Sequence, residues 1–193
     1  MKYVGVNHLL LKEPNVSFLA DGMLGSIARK LRFFGFDTLY IAHAHDNEIL
    51  KIGIEQERVI LTADKELFKR IVKAGARGVL VGRATTELED LVDILTKSGV
   101  MFLYIECIGS RCSVCNGLLE ERTSDQLKND IVVVPSRVIA YYNQFFQCTT
   151  CGKIYWEGGH FESIMALARN LQARLIGRAC STAPPTLPSK SKG

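Results

Sequence analysis

Val59-Ile60-Leu61-Thr62-Ala63-Asp64-Lys65-Glu66-Leu67 is a short apolar run, a turn that contains an aspartate, and the start of a new pattern. From Lys65 to Ala74 the chain reads as a helix closed by Gly75, and Gly78 to Val81 is a second apolar run. Strand, helix and strand within so few residues leave no room for a hairpin partner between them. The unit reads as two parallel strands joined by a crossover helix.

The same unit extends in both directions. Upstream, Phe18-Leu19-Ala20 reads as a buried strand and Gly22 to Phe34 repeats with a helical period. Leu24, Ile27, Ala28, Leu31 and Gly35 fall on one side of that helix, and Arg29, Lys30 and Phe33 on the other. Gly35 suits its C-terminus. Thr38 to Ile41 is the second strand, Asn47 to Glu57 the second helix, and Glu87 to Lys97 the fourth helix. The alternation predicts an α/β domain over residues 17–100, a parallel sheet flanked by helices. Right-handed crossovers then place all four strand ends on one edge.

After residue 100 the pattern changes. Val100 to Glu106 is an apolar run that reads either as a fifth strand or as a link. Residues 107–160 show only short extended runs, among them Ile131 to Val134 and Val138 to Tyr142. Phe161 to Leu175 turns helical again, and a C-terminal helix over 161–178 is expected to dock on the body. The Pro-, Ser- and Lys-containing segment 180–193 reads as a disordered tail, and residues 1–16 form no clear periodic unit.

The cysteines are the most specific feature of the second half. Cys112 and Cys115 form one Cys-x-x-Cys pair, Cys148 and Cys151 another, with 32 residues between the pairs. Each pair offers two sulfurs on one turn, and two such turns complete a tetrahedron for structural Zn²⁺ with no position left for water. Asn116 and Gly152, one residue past each pair, tolerate the left-handed backbone that a metal knuckle requires. The competing readings are two redox motifs or a pair of disulfides. Neither pair clearly opens a helix after a strand, as a redox motif would. His160 is a further candidate ligand, but four thiolates already complete the site; Cys107 and Cys180 are left over as buried or incidental thiols.

A second constellation is acidic. Asp21, Asp46 and Asp64 follow the first three strands, each just before a helix. One reading makes all three helix caps. The other notes that clustered carboxylates repel one another unless a cation neutralises them, and that oxygen-only clusters select Mg²⁺ or Mn²⁺. Such ions activate water for attack on a phosphodiester. Glu48 is a further candidate ligand, His43 and His45 lie on the same loop as Asp46, and Asp37, before the second strand, reads as structural. Arg29, Lys30 and Arg32 could hold phosphates, with Phe33 placed to stack on a base. Read blandly, that face is a solvated helix surface.

Composition sets the frame. Apolar residues make up 47% and charged residues 23%, which suits a folded protein, and the net charge of +4 permits nucleic-acid binding without demanding it. No apolar run is long enough to span a membrane, and Met1 to Leu11 lacks the pattern of a secretory signal, so a cytoplasmic location is expected. Serine-nucleophile, phosphate-loop and dinucleotide motifs are absent from the sequence.

Phe18-Leu19-Ala20-Asp21-Gly22-Met23-Leu24-Gly25, Leu31-Arg32-Phe33-Phe34-Gly35-Phe36-Asp37-Thr38 and Leu61-Thr62-Ala63-Asp64-Lys65-Glu66-Leu67 resemble the mutator-seven C-terminal RNase family. Arg111-Cys112-Ser113-Val114-Cys115-Asn116-Gly117, Cys148-Thr149-Thr150-Cys151-Gly152-Lys153-Ile154-Tyr155-Trp156 and Gly159-His160 resemble it too, in the family's order. The resemblance implies a PIN-like nuclease domain followed by a zinc ribbon. It also implies Mg²⁺- or Mn²⁺-dependent cleavage of RNA, with Asp21 and Asp64 at matching acidic positions and Asp46 in the intermediate acidic segment. The family often carries Arg where Ala63 stands here. Two other functions compete: a non-catalytic RNA-binding adaptor, and a phospho-acceptor receiver, for which no strand-end lysine is evident.

Overall fold

The structure is a computed structural model that describes residues 16–82, 84, 86–103, 110–128 and 134–182. Four short strands build its main sheet: β1 (Phe18–Asp21), β2 (Thr38–Ile41), β3 (Val59–Thr62) and β4 (Gly78–Leu80). All pairings are parallel and the order is β2-β1-β3-β4. Between the strands lie α1 (Gly25–Phe33), preceded by a 3₁₀ turn at Gly22–Leu24, then α2 (Asp46–Glu55) and α3 (Lys65–Lys73). After β4 comes α4 (Glu87–Lys97). The expected α/β alternation is therefore the observed fold, with element ends moved by three residues at most.

The strand order explains which helix covers which face. From β1 to β2 the chain steps one way across the sheet; from β2 to β3 and on to β4 it steps the other way. Right-handed crossovers must then put α1 on one face and α2 and α3 on the other. The side chains agree. Phe18, Ala20, Leu61 and Val79 join Ile27, Leu31, Leu91 and Leu95 in one buried cluster. Leu19 and Ile60, one residue out of phase, join Ile49, Leu67 and Ile71 in the other. Because the direction reverses at β1, the neighbouring strands β1 and β3 send their helices to opposite faces. The crevice beyond their carboxyl ends is where such sheets bind ligands.

The second half forms a smaller antiparallel sheet of β5 (Leu119–Thr123), β6 (Gln144–Cys148) and β7 (Ile154–Trp156), in the order β5-β6-β7. Two short helices, α5 (Ser124–Lys128) and α6 (Ser136–Tyr141), lie between β5 and β6. The extended run expected at Val138 to Tyr142 is thus mostly helix. Its β-branched residues favour a strand, but Pro135 stands at the N-cap and its carbonyl takes the Val138 N–H at 2.8 Å, which starts a helical turn. Residues 131–133 of the other expected run, and 104–106 of the expected fifth strand or link, lie outside the described residues. Residues 101–103 are not in a strand.

The last helix, α7 (Gly159–Thr182), starts earlier and runs further than 161–178, so the first residues of the expected tail are helical; residues 183–193 lie outside the described residues. It docks on the first half of the chain. Ala168, Leu171 and Leu175 are buried in the cluster that α1 and α4 share. Arg174 pairs with Glu89 at 2.5 Å, and Arg178 spans Asp93 at 2.5 Å and Glu89 at 3.3 Å. No helix among the described residues is long and apolar enough to cross a membrane.

Candidate active site and metal centre

The four cysteines converge. Their sulfurs all lie within 4.8 Å of one another, with Cys112 Sγ 3.6 Å from Cys151 Sγ and Cys115 Sγ 3.4 Å from Cys148 Sγ. A disulfide needs about 2.05 Å, so these are not disulfides. Sulfurs arranged tetrahedrally at about 2.3 Å from a zinc ion stand roughly 3.8 Å apart, close to what is observed. Asn116 and Gly152 adopt the expected left-handed backbone, at φ 70° and 73°. Two knuckles this close leave no room for a side chain at Gly117, where a Cβ would lie 2.5 Å from Thr150 Oγ1 and 2.9 Å from Cys148 Sγ.

Electrostatics point the same way. Burial works against ionisation of Cys112, but hydrogen bonds from the Tyr155 hydroxyl and from the backbone at Cys115 and Val114 hold its thiol down at about 6. Cys115 receives a hydrogen bond from the Gly117 backbone, which favours its thiolate. Desolvation and the crowding of Cys148, Cys151 and Cys112 nevertheless push it up to about 12. A single thiolate is therefore easy to form and the full set is not, unless a cation sits among them. The cluster is compatible with a structural zinc.

The first knuckle is bolted to the amino edge of the large sheet. Arg32, only 6% exposed, donates Nε to Thr38 O at 2.8 Å and Nη1 to Ser113 O and Val114 O at 3.0 and 3.1 Å. Asn116 accepts from the Thr38 N–H at 3.0 Å and donates to Asp37 at 2.7 Å. Asp37 also pairs with Arg58 at 2.9 Å. Burial opposes the Asp37 charge, but the hydrogen bonds from Arg58 and Asn116 keep its carboxyl below the usual range. Asp37 is thus a structural anchor, as its position before β2 suggests.

Arg32 accordingly does not present its guanidinium to solvent as a phosphate ligand would. It lies on the buried side of α1, whereas Arg29 is exposed. Arg32→Ala should lower stability by about 3 kcal/mol, because the carbonyls of Thr38, Ser113 and Val114 lose a charged donor. Urea unfolding checks this; a loss below about 1 kcal/mol would mean that the knuckle is not held by this side chain. Lys30 is tied to Glu87 at 2.7 Å and to Ser26 at 2.8 Å. Phe33 rests edge-on against Phe34 and Phe161.

The aspartates lie at the opposite edge. Asp21 ends β1 and Asp64 follows β3, so both flank the β1–β3 crevice. Asp21 Oδ2 accepts from the Thr62 hydroxyl at 2.9 Å, and that hydroxyl oxygen accepts from the Asp64 N–H at 3.0 Å. Thr62, which sequence reasoning did not single out, links the two junctions. Asp21 Oδ1 takes the Gly22 N–H at 2.5 Å, and Asp64 Oδ1 caps α3 through the N–H groups of Glu66 and Leu67 at 2.6 and 3.2 Å. The turn is tight enough that a Cβ on Gly22 would lie 2.5 Å from Ala42 O.

Asp46, the first residue of α2, pairs with Arg70 of α3 at 2.9 Å, and Arg70 also bonds Asn47. Capping, the metal-free role considered for these carboxylates, is realised at Asp21 and Asp64; Asp46 is not a cap and pairs with Arg70 instead. Among the described residues, the cysteines are the one group of three or more metal-type side chains whose ligand atoms lie within 4.8 Å of one another; Asp21, Asp46 and Asp64 do not form a second.

A parallel α/β sheet with aspartates at its reversal point, followed by a small sheet that carries four converging cysteines, defines the class of protein. A family model described as the Mut7-C RNase domain matches residues 16–168. The chain belongs to that family, and RNA is the substrate which the family implies. No curated protein and no solved structure matches it in the comparisons.

Proposed function

We propose that the protein is a metal-dependent ribonuclease that hydrolyses RNA phosphodiester bonds at the β1–β3 crevice, with a PIN-like α/β domain and a zinc-bound ribbon. The observation that supports the site is the Thr62 hydroxyl, which ties the Asp21 carboxylate to the Asp64 backbone where the strand order reverses. Asp21, Asp64 and Asp46 would hold one or two Mg²⁺ or Mn²⁺ ions, which when bound supply an activated water and Lewis acidity.

The carboxylates keep the capacity for this, since each retains lone pairs that its present contacts do not use, those of Oδ2 in Asp64. Their spread suits Mg²⁺, which keeps several waters and takes only one or two carboxylates directly. Thr62 fixes the rotamer of Asp21, and the Gly22 N–H holds its other oxygen. Arg70, drawn to Asp46, brings a guanidinium to the same edge, where it can balance phosphate charge.

One observation favours the alternative, a non-catalytic adaptor that binds RNA through the ribbon and α1: both Asp21 and Asp64 already serve as caps. Cleavage of labelled single-stranded RNA decides. The expected result is cleavage that requires added Mg²⁺ or Mn²⁺. Binding with no cleavage of varied RNAs by either metal, in protein that retains its zinc, would leave the adaptor.

A further inference from the structure

A groove of about 720 Å³ runs between the outer face of α1, the ribbon strands β6 and β7, and the start of α7. We propose that it is an RNA-anchoring site, separate from the carboxylate crevice, in which the bases of a single strand stack on ribbon aromatics while cations on both walls hold the phosphates. The proposal rests on RNA being the substrate, and it adds where RNA is held while the crevice acts.

The walls carry the argument. Arg29 stands on one side and Lys153 on the other, both exposed, with Arg111 between the two units. No Asp or Glu is among the described residues that line the groove. Half-buried Tyr155 and Trp156 lie along the ribbon side, and Lys153 sits over the Tyr155 ring at 5.6 Å from its centre. Cations that flank aromatic rings along a groove form the arrangement that binds single strands with little sequence preference. An apolar peptide would gain from the aromatics but nothing from the cations.

The groove is also built into the metal centre. The Tyr155 hydroxyl is 3.1 Å from both Cys112 Sγ and Ser113 Oγ, so the stacking platform is braced against a cysteine of the cluster. Its distance from the crevice is modest. The 3₁₀ turn leads from Asp21 into α1, which carries Arg29 on its second turn, about 14 Å along the chain at the two helical rises. A single strand held in the groove can therefore reach the carboxylate edge along one side of α1.

Trp156 is the only tryptophan in the chain, which makes the test direct. A labelled single-stranded RNA is titrated into zinc-loaded protein without added Mg²⁺ or Mn²⁺, with label anisotropy and tryptophan emission followed together. Trp156 emission should be quenched in step with binding. Arg29→Ala combined with Lys153→Ala, both at exposed positions, should weaken binding about tenfold and lower the salt slope by roughly 1.4, the value for two lost phosphate contacts on a single strand. In cleavage assays the same variant should raise KM and keep kcat.

Binding that leaves Trp156 emission unchanged, with a salt slope unaffected by the two substitutions, would overturn the groove while leaving the ribonuclease reading intact. So would a groove occupied by peptide that RNA does not displace. Quenching with normal salt dependence in a protein that cleaves nothing would support the groove and remove the catalytic reading.

Discussion

Asp21→Asn should reduce metal-dependent RNA cleavage by at least about a hundredfold, the scale of losing one essential electrostatic contact in a reacting site. The substitution is nearly isosteric. Asn caps helices about as well as Asp, so the Gly22 contact and the turn after β1 should survive. The amide can still meet the Thr62 hydroxyl, which can act as donor or acceptor. What disappears is the negative charge that a divalent cation requires. RNA binding should persist, and stability without divalent ions should change little. Parallel measurements of cleavage, anisotropy and thermal unfolding make the comparison. Equal cleavage by wild type and Asp21→Asn would place the chemistry elsewhere.

Cys148→Ser carries the other large effect. Cys148 is 2% exposed, and its sulfur receives the N–H groups of Thr150 and Cys151 at 3.4 and 3.5 Å. A serine hydroxyl is a poor zinc ligand and leaves the site with three thiolates. Metal analysis should show the zinc lost. A zinc held by the four cysteines would couple to folding of the ribbon, so its loss should unfold β5 to β7, on the order of 10 kcal/mol of coupled binding and folding. The four-stranded sheet keeps its own core clusters and should keep part of its circular-dichroism signal. Purified wild-type protein with no zinc and the four cluster thiols free would refute the metal site itself.

Much of the α/β half is legible from sequence because its strands are short apolar runs bounded by glycine or acid. β2 and α4 fall where the pattern puts them, and β3, α3 and β4 within a residue. The cysteine cluster is legible for a chemical reason: two Cys-x-x-Cys turns have few uses in common, and Asn116 and Gly152 supply the backbone that the turns need. The ribbon strands are not. β5 is Leu-Glu-Glu-Arg-Thr, mostly exposed, and its pairing with β6 comes from the fold rather than from any apolar alternation.

Side-chain roles that depend on the third dimension are the least visible. Arg32 shares a helix turn with Arg29, and a helical wheel cannot tell which of the two a distant knuckle will cover. Thr62 and Tyr155 look like ordinary strand residues until their partners, from elsewhere in the chain, are in place. The three aspartates are placed correctly at strand–helix junctions, yet their separate caps and the Arg70 pair follow from geometry that spacing does not encode.

The docking of α7 has a consequence for how the molecule is made. Ala168, Leu171 and Leu175 complete an apolar layer whose other members come from the first hundred residues, so the ribbon is threaded into the middle of a single cooperative unit. On the ribosome, the amino-terminal half would emerge with one flank of α4 and α1 uncovered and wait for the whole ribbon to be synthesised before that flank is sealed. Segment 17–100 thus lacks part of its own core until α7 docks, and amide hydrogens in α4 and α7 should exchange together, as parts of one late-closing seam.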